Sequence, residues 1–198
     1  MIEPGFSPTT AVRRRAGVPT LSVAILAAAL LAAPGVAAGQ AASKSAAKAT
    51  VMFDGVAMVQ AAEGDTPGEH WREFIPAGED LKSWTRLASI REYPKLDDPK
   101  TVASNLVRAL RRQNPQAGSA ILENKKTGEI IVDFITWPDD HKFVEFNLFR
   151  YGRHPNGGVI AQQYALRRYE NTSGFLAAFK SERQRLVNMM AAHGLSVQ

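Results

Sequence analysis

The residues best suited to chemistry lie where they are least expected, inside runs otherwise rich in Val, Ile, Phe and Tyr. Asp133, Glu145, Asn147, Gln162, Gln163, Arg167 and Arg168 interrupt three such runs between Glu129 and Tyr169. Arginine has a planar fork that grips carboxylate or phosphate at two points, and a glutamate or amide beside it can orient a bound group. Glu145, Asn147, Gln163, Arg167 and Arg168 are therefore the candidate ligand-binding residues, with a small anionic ligand as the matching chemistry. Two carboxylates on neighbouring strands, Asp133 and Glu145, together with His154 and Arg167, offer the competing chemistry of a hydrolase.

Other constellations carry less. Asp139-Asp140-His141 sets two carboxylates beside an imidazole, but adjacent turn residues point apart, whereas a metal needs converging ligands. Aspartate favours such turns because it bonds its own backbone. His70 and His154 fall in expected loops, and His193 at the end of an expected helix. The chain has no His-x-x-x-His spacing, no Gly-x-Ser-x-Gly elbow and no phosphate-binding glycine pattern, so neither a metal nor a cofactor is expected. With no cysteine, thiol catalysis, thiolate metal sites and disulfides are excluded.

The elements that must position these residues follow from periodicity. Val51–Gln60 reads as two short strands around Asp54-Gly55, or as one bulged strand, and Ala61–His70 as a loop. Trp71–Pro76 is a short strand. In Trp84–Tyr93, Thr85, Leu87, Ser89 and Arg91 oppose Trp84, Arg86, Ala88 and Ile90, which is strand alternation. Asp97-Asp98-Pro99 then opens a helix with a Val102, Leu106, Val107, Leu110 stripe, ended near Asn114-Pro115. Ser119–Glu123, Glu129–Trp137, Lys142–Gly152 and Val159–Tyr169 follow as a four-strand meander. Asn156-Gly157 reads as a two-residue type I′ turn. That register sets Glu145 opposite Arg168 and Asn147 opposite Leu166. A last helix, capped by Thr172 or Ser173, runs to about His193 and ends at Gly194.

The implied fold is α+β: an antiparallel sheet of about six to seven strands flanked by two amphipathic helices. Its element order resembles the PsbP, Mog1 and DcrB group of α-β-α sandwiches. The segment Phe74-Ile75-Pro76-Ala77-Gly78 followed by Trp84-Thr85 is similar to openings of small exported bacterial envelope proteins. The resemblance spans roughly residues 50–195 and implies an accessory or binding module, with no catalytic residue to carry over.

The first residues supply an address. Arg13-Arg14-Arg15, an apolar run from Leu21 to Ala33, and the small residues Val36–Gln40 form the three regions of a secretory signal peptide. The run is too short for a membrane span, which needs about 20 residues. The expected organisation is a signal peptide over residues 1–39, a flexible lead-in over 40–50 and a single domain over 51–198. Cleavage after Ala38 or Gly39 lowers the formal charge from +5 to +3, an ordinary solubility charge that argues against nucleic acid as a partner. The expectation is a periplasmic or secreted, non-catalytic binding or accessory protein of the bacterial envelope, with no transmembrane segment after cleavage. Its partner is then an envelope protein or a small anionic ligand. Peripheral contact with anionic lipid is the third alternative, through Arg108, Arg111 and Arg112 or through Lys180, Arg183 and Arg185.

Overall fold

The computed structural model describes residues 49–197, and the expected signal peptide and most of the lead-in lie outside them. The elements run β1 (Thr50–Phe53), β2 (Val56–Thr66), β3 (Glu69–Pro76), β4 (Arg86–Tyr93), α1 (Pro99–Gln113), β5 (Ser119–Glu123), β6 (Ile130–Thr136), β7 (Val144–Arg153), β8 (Val159–Arg168), α2 (Thr172–Ala192) and β9 (Ser196–Val197). All the strands join one antiparallel sheet in the order β5-β6-β7-β8-β4-β3-β2-β1-β9.

Asp54 and Gly55 both take positive φ (53° and 71°), so β1 and β2 form a tight hairpin. Beyond Gln60, β2 continues to Thr66 across a bulge between Gln60 and Ala62, in a stretch that reads as loop from its composition. Gly64 is needed there: a Cβ would stand 2.6 Å from the Trp71 ring that lies across it. The Asp98 side chain accepts from the backbone N–H groups of Lys100 and Thr101, and Pro99 opens α1 as expected. The cap of α2 is Asn171, in the left-handed region, whose side chain accepts from the Gly174 N–H; it is not Thr172 or Ser173.

The sheet is curled. Phe53 on β1 and Tyr164 on β8 are separated by three strands, roughly 19 Å across a flat sheet, yet their ring centroids are 4.5 Å apart. The side chains on the inner, concave face close around α2: Val51, Phe53, Met58, Phe74, Ala88, Ile90, Phe146, Leu148 and Tyr164 pack with Phe179, Leu186, Val187 and Met190. The outer face of β6–β8 carries α1, whose Val102, Leu106, Val107 and Leu110 meet Ile130, Val132, Phe134, Phe149 and Tyr151.

This corrects the expected fold. The protein is mostly sheet, a half-barrel of eight antiparallel strands plus the two-residue β9, with two helices. It is not a six- to seven-stranded sheet in an α+β sandwich. α1 covers only part of the outside, and α2 plugs the hollow left by the curl. Hydrophobic alternation reports which residues share a face but not the curvature of that face.

Candidate functional site

The hairpin between β7 and β8 decides where the candidate residues go. Its turn is longer than the two-residue form expected from Asn156-Gly157. The His154 N–H donates to the Gly158 carbonyl (3.0 Å), leaving a three-residue loop, and Gly157 and Gly158 both take positive φ. Gly158 belongs to the ladder because its backbone packs on β4: a Cβ there would stand 2.6 Å from the Tyr93 carbonyl oxygen. The register therefore slips by one residue. Glu145 faces Arg167, not Arg168, and Asn147 faces Ala165, not Leu166. Because strand side chains alternate, Arg167 and Arg168 then point to opposite faces.

On the outer face the expected polar residues assemble into a closed chain. One carboxylate oxygen of Glu145 accepts from Nε and Nη2 of Arg167 (3.0 and 2.8 Å). The other accepts from Nδ2 of Asn147 (2.8 Å), and Asn147 in turn accepts from Nε2 of Gln163 (2.8 Å). The Arg167 guanidinium is sandwiched between Trp84 and Phe143, 3.8 and 4.1 Å from their ring centroids. The segment before β4 is pinned there by Glu79, which accepts from both the N–H and the hydroxyl of Thr85 at 2.6 Å. Glu145, Asn147 and Arg167 are all buried. Four of the five expected ligand-binding residues thus bind one another.

The fifth, Arg168, lies on the inner face and lines a cleft of about 210 Å³ between the first half of α2, the β1–β2 turn and strands β4 and β8. Asp54, Arg86, Leu166, Phe175, Ala178, Phe179 and Glu182 complete its walls. Arg86 stands opposite Leu166, so Arg168 is its diagonal neighbour on the same face, at roughly 7–8 Å. Among the described residues, the strand arginines that are not solvent-exposed divide cleanly. Arg72, Arg91, Arg150 and Arg167 meet carboxylates, whereas Arg86 and Arg168 meet none.

Two buried polar atoms here lack hydrogen-bond partners: Nε of Arg86 and the hydroxyl of Tyr164, which lies one diagonal step from Arg86 on β8. Burial pushes the Tyr164 hydroxyl up to about 12, against the opposing charge of Arg86, so it keeps its proton. On the far side, Arg185 bridges Asp54 and Glu182, each at 2.6 Å, and its charge is reinforced by those bonds.

The remaining candidates do not converge. Asp133 points to the inner face, where Arg183 of α2 grips both its oxygens (2.6 and 2.7 Å), while Glu145 points outward. No acid–base pair forms from these two. His154 uses its ring nitrogen to accept from the Asn156 N–H inside its turn. Asp140 accepts from the Lys142 N–H and pairs with its ammonium, which is turn chemistry. His70 lies in β3, not in a loop, and bonds Asp65 at 2.7 Å.

Sequence reasoning missed Arg86, Tyr164, Asp54 and Glu182. One signal was present: Arg86 falls in the same alternating row of β4 as Ala88 and Ile90, an isolated charge beside apolar residues. A protein-family model matches residues 45–195. The chain belongs to that family. The match takes in the sheet through β8, both helices and every residue lining the cleft. No curated protein matches the chain.

Proposed function

We propose that this protein is an exported, non-catalytic binding module of the bacterial envelope that holds a small anionic ligand in the cleft beneath α2. The observation carrying this reading is the pair Arg86 and Arg168, two half-buried guanidinium groups on one face that form no ion pair, the cleft's carboxylates Asp54 and Glu182 being held by Arg185. A cation partly withdrawn from water favours a counter-charge, because leaving water is costly. A bound anion would supply it. The export half of the reading rests on the arginine-led apolar leader and on a family match that starts at residue 45, downstream of it.

The test uses the full chain with a C-terminal tag, expressed in a bacterium and recovered from its envelope fraction. N-terminal sequencing should begin near Gly39 or Gln40. Acetate, titrated at constant ionic strength, should raise the melting temperature of the wild type and leave Arg86→Gln and Arg168→Gln unmoved. Retention of Met1 would remove the export half, and equal responses of all three proteins would remove the binding half.

A second reading has its own observation. Ile121 and Leu122 on edge strand β5 are about half exposed, and the exposed Arg108, Arg111 and Arg112 lie on α1, whose Lys100 reaches β5 at Glu123 (3.2 Å). Exposed apolar side chains on an edge strand and a row of exposed arginines on the neighbouring helix suit peripheral contact with anionic lipid. Among the described residues, no helix is long and apolar enough to cross a membrane. Co-sedimentation with anionic vesicles at low salt, reversed at high salt, is the expected result. Failure to sediment would end this reading.

A further inference from the structure

Resting on the binding role just described, we propose that the cleft is built for a monocarboxylate bearing a compact aromatic or branched apolar group. Its carboxylate lies between Arg86 and Arg168, and its apolar group lies against Leu166, Phe175 and Phe179.

Charge selects a monoanion. The lining residues and the Arg185 that bridges them hold three arginines against two carboxylates, a surplus of one positive charge. One carboxylate cancels that surplus. A doubly charged phosphate would overshoot it and turn its further oxygen toward Asp54 and Glu182. The planar guanidinium also matches the two in-plane oxygens of a carboxylate.

The walls select the rest of the molecule. Phe175 and Phe179 are 4.6 Å apart, and Phe179 is 4.6 Å from Phe146 below it, so an aromatic ledge runs along the α2 side. Arg168 lies 5.4 Å from the Phe175 ring, which places the charged and apolar contacts side by side. The cleft's volume of about 210 Å³ leaves room for a benzoate-sized acid.

The experiment is calorimetric titration of the full chain with benzoate, acetate and inorganic phosphate at matched ionic strength. Benzoate should bind about tenfold or more tighter than either of the others. Arg86→Gln and Arg168→Gln should each weaken benzoate by about tenfold, the loss of one charge-assisted contact. Phe175→Ala should weaken benzoate while leaving acetate unchanged. Arg168→Lys, which keeps the charge and removes the fork, controls for folding, and circular dichroism should show wild-type content for every variant. Phosphate binding as tightly as benzoate, or benzoate no tighter than acetate, would overturn this inference and leave the anion-binding role standing. No binding by any probe would overturn both.

Discussion

Arg167 and Arg168 are neighbours in the chain and opposites in the structure. Arg167 points outward into a pocket of aromatic rings, where Glu145 satisfies it and Asn147 and Gln163 satisfy Glu145. Arg168 points inward to a cleft where it bonds only the carbonyl of Arg167 (3.0 Å) and skirts Phe175. Both faces collect polar residues within apolar strands, so composition cannot distinguish them. What distinguishes them is whether the hydrogen-bonding capacity is already used. In the Glu145 network it is, although the buried Ser89 hydroxyl opposite Gln163 has no partner, and the network fixes register and buries charge. On the inner face Arg86 and Arg168 line the cleft with no ion-pair partner, and there a ligand has something to bind.

Breaking the outer network should produce the largest effect. Glu145→Ala leaves Arg167 buried between Trp84 and Phe143 with no counter-charge, which costs about 3–5 kcal/mol; urea unfolding measures it. A loss below about 1 kcal/mol would mean that Arg167 escapes to water and that the two faces differ less than their geometry shows. Asp133→Ala should cost less, about 1–3 kcal/mol, because its partner Arg183 is one-third exposed and can turn to solvent.

Arg168→Gln should change stability by about 0.5 kcal/mol or less while removing the thermal response to acetate and weakening benzoate about tenfold. That pairing of outcomes is the sharpest contrast with Glu145→Ala. The smallest effect is visible only in the pH dependence. Burial raises the Glu73 carboxyl above its ordinary value of 4.5, opposed by Arg91 and assisted by Glu69. The folded state therefore holds this proton more tightly than the unfolded chain does. The resulting stability is complete below the ordinary glutamate value and is lost as pH rises through the folded value. Glu73→Gln lacks that loss, so its melting temperature relative to wild type should climb between about pH 4 and neutrality. A constant difference would place Glu73 in water.

Much of the scaffold was legible because local and tertiary signals agreed. Asp98-Pro99 and the Val102–Leu110 stripe specify α1, and Asp54-Gly55 specifies the first hairpin. The end of β2 was hidden, since Ala61–Thr66 contains no β-branched residue before its last position and Gly64 reads as a loop residue. Trp71 across the strand gives that glycine its purpose. The site was half legible. Arg168 stood out as a charge within a strand, but the register that separates it from Arg167 depends on Gly158 packing against Tyr93, a contact between strands far apart in the chain. Asp54, Arg86 and Glu182 come from three distant segments that only the curl brings together, and no spacing along the chain encodes the curl.

The short pairing of Val51 with Val197 and Met52 with Ser196 has a topological consequence. It lays the first and last strands of the domain side by side, making the described chain nearly a ring. During synthesis, β1 has no neighbour on its outer flank until Ser196 and Val197 have been made. That seam can therefore close only after α2 has left the ribosome.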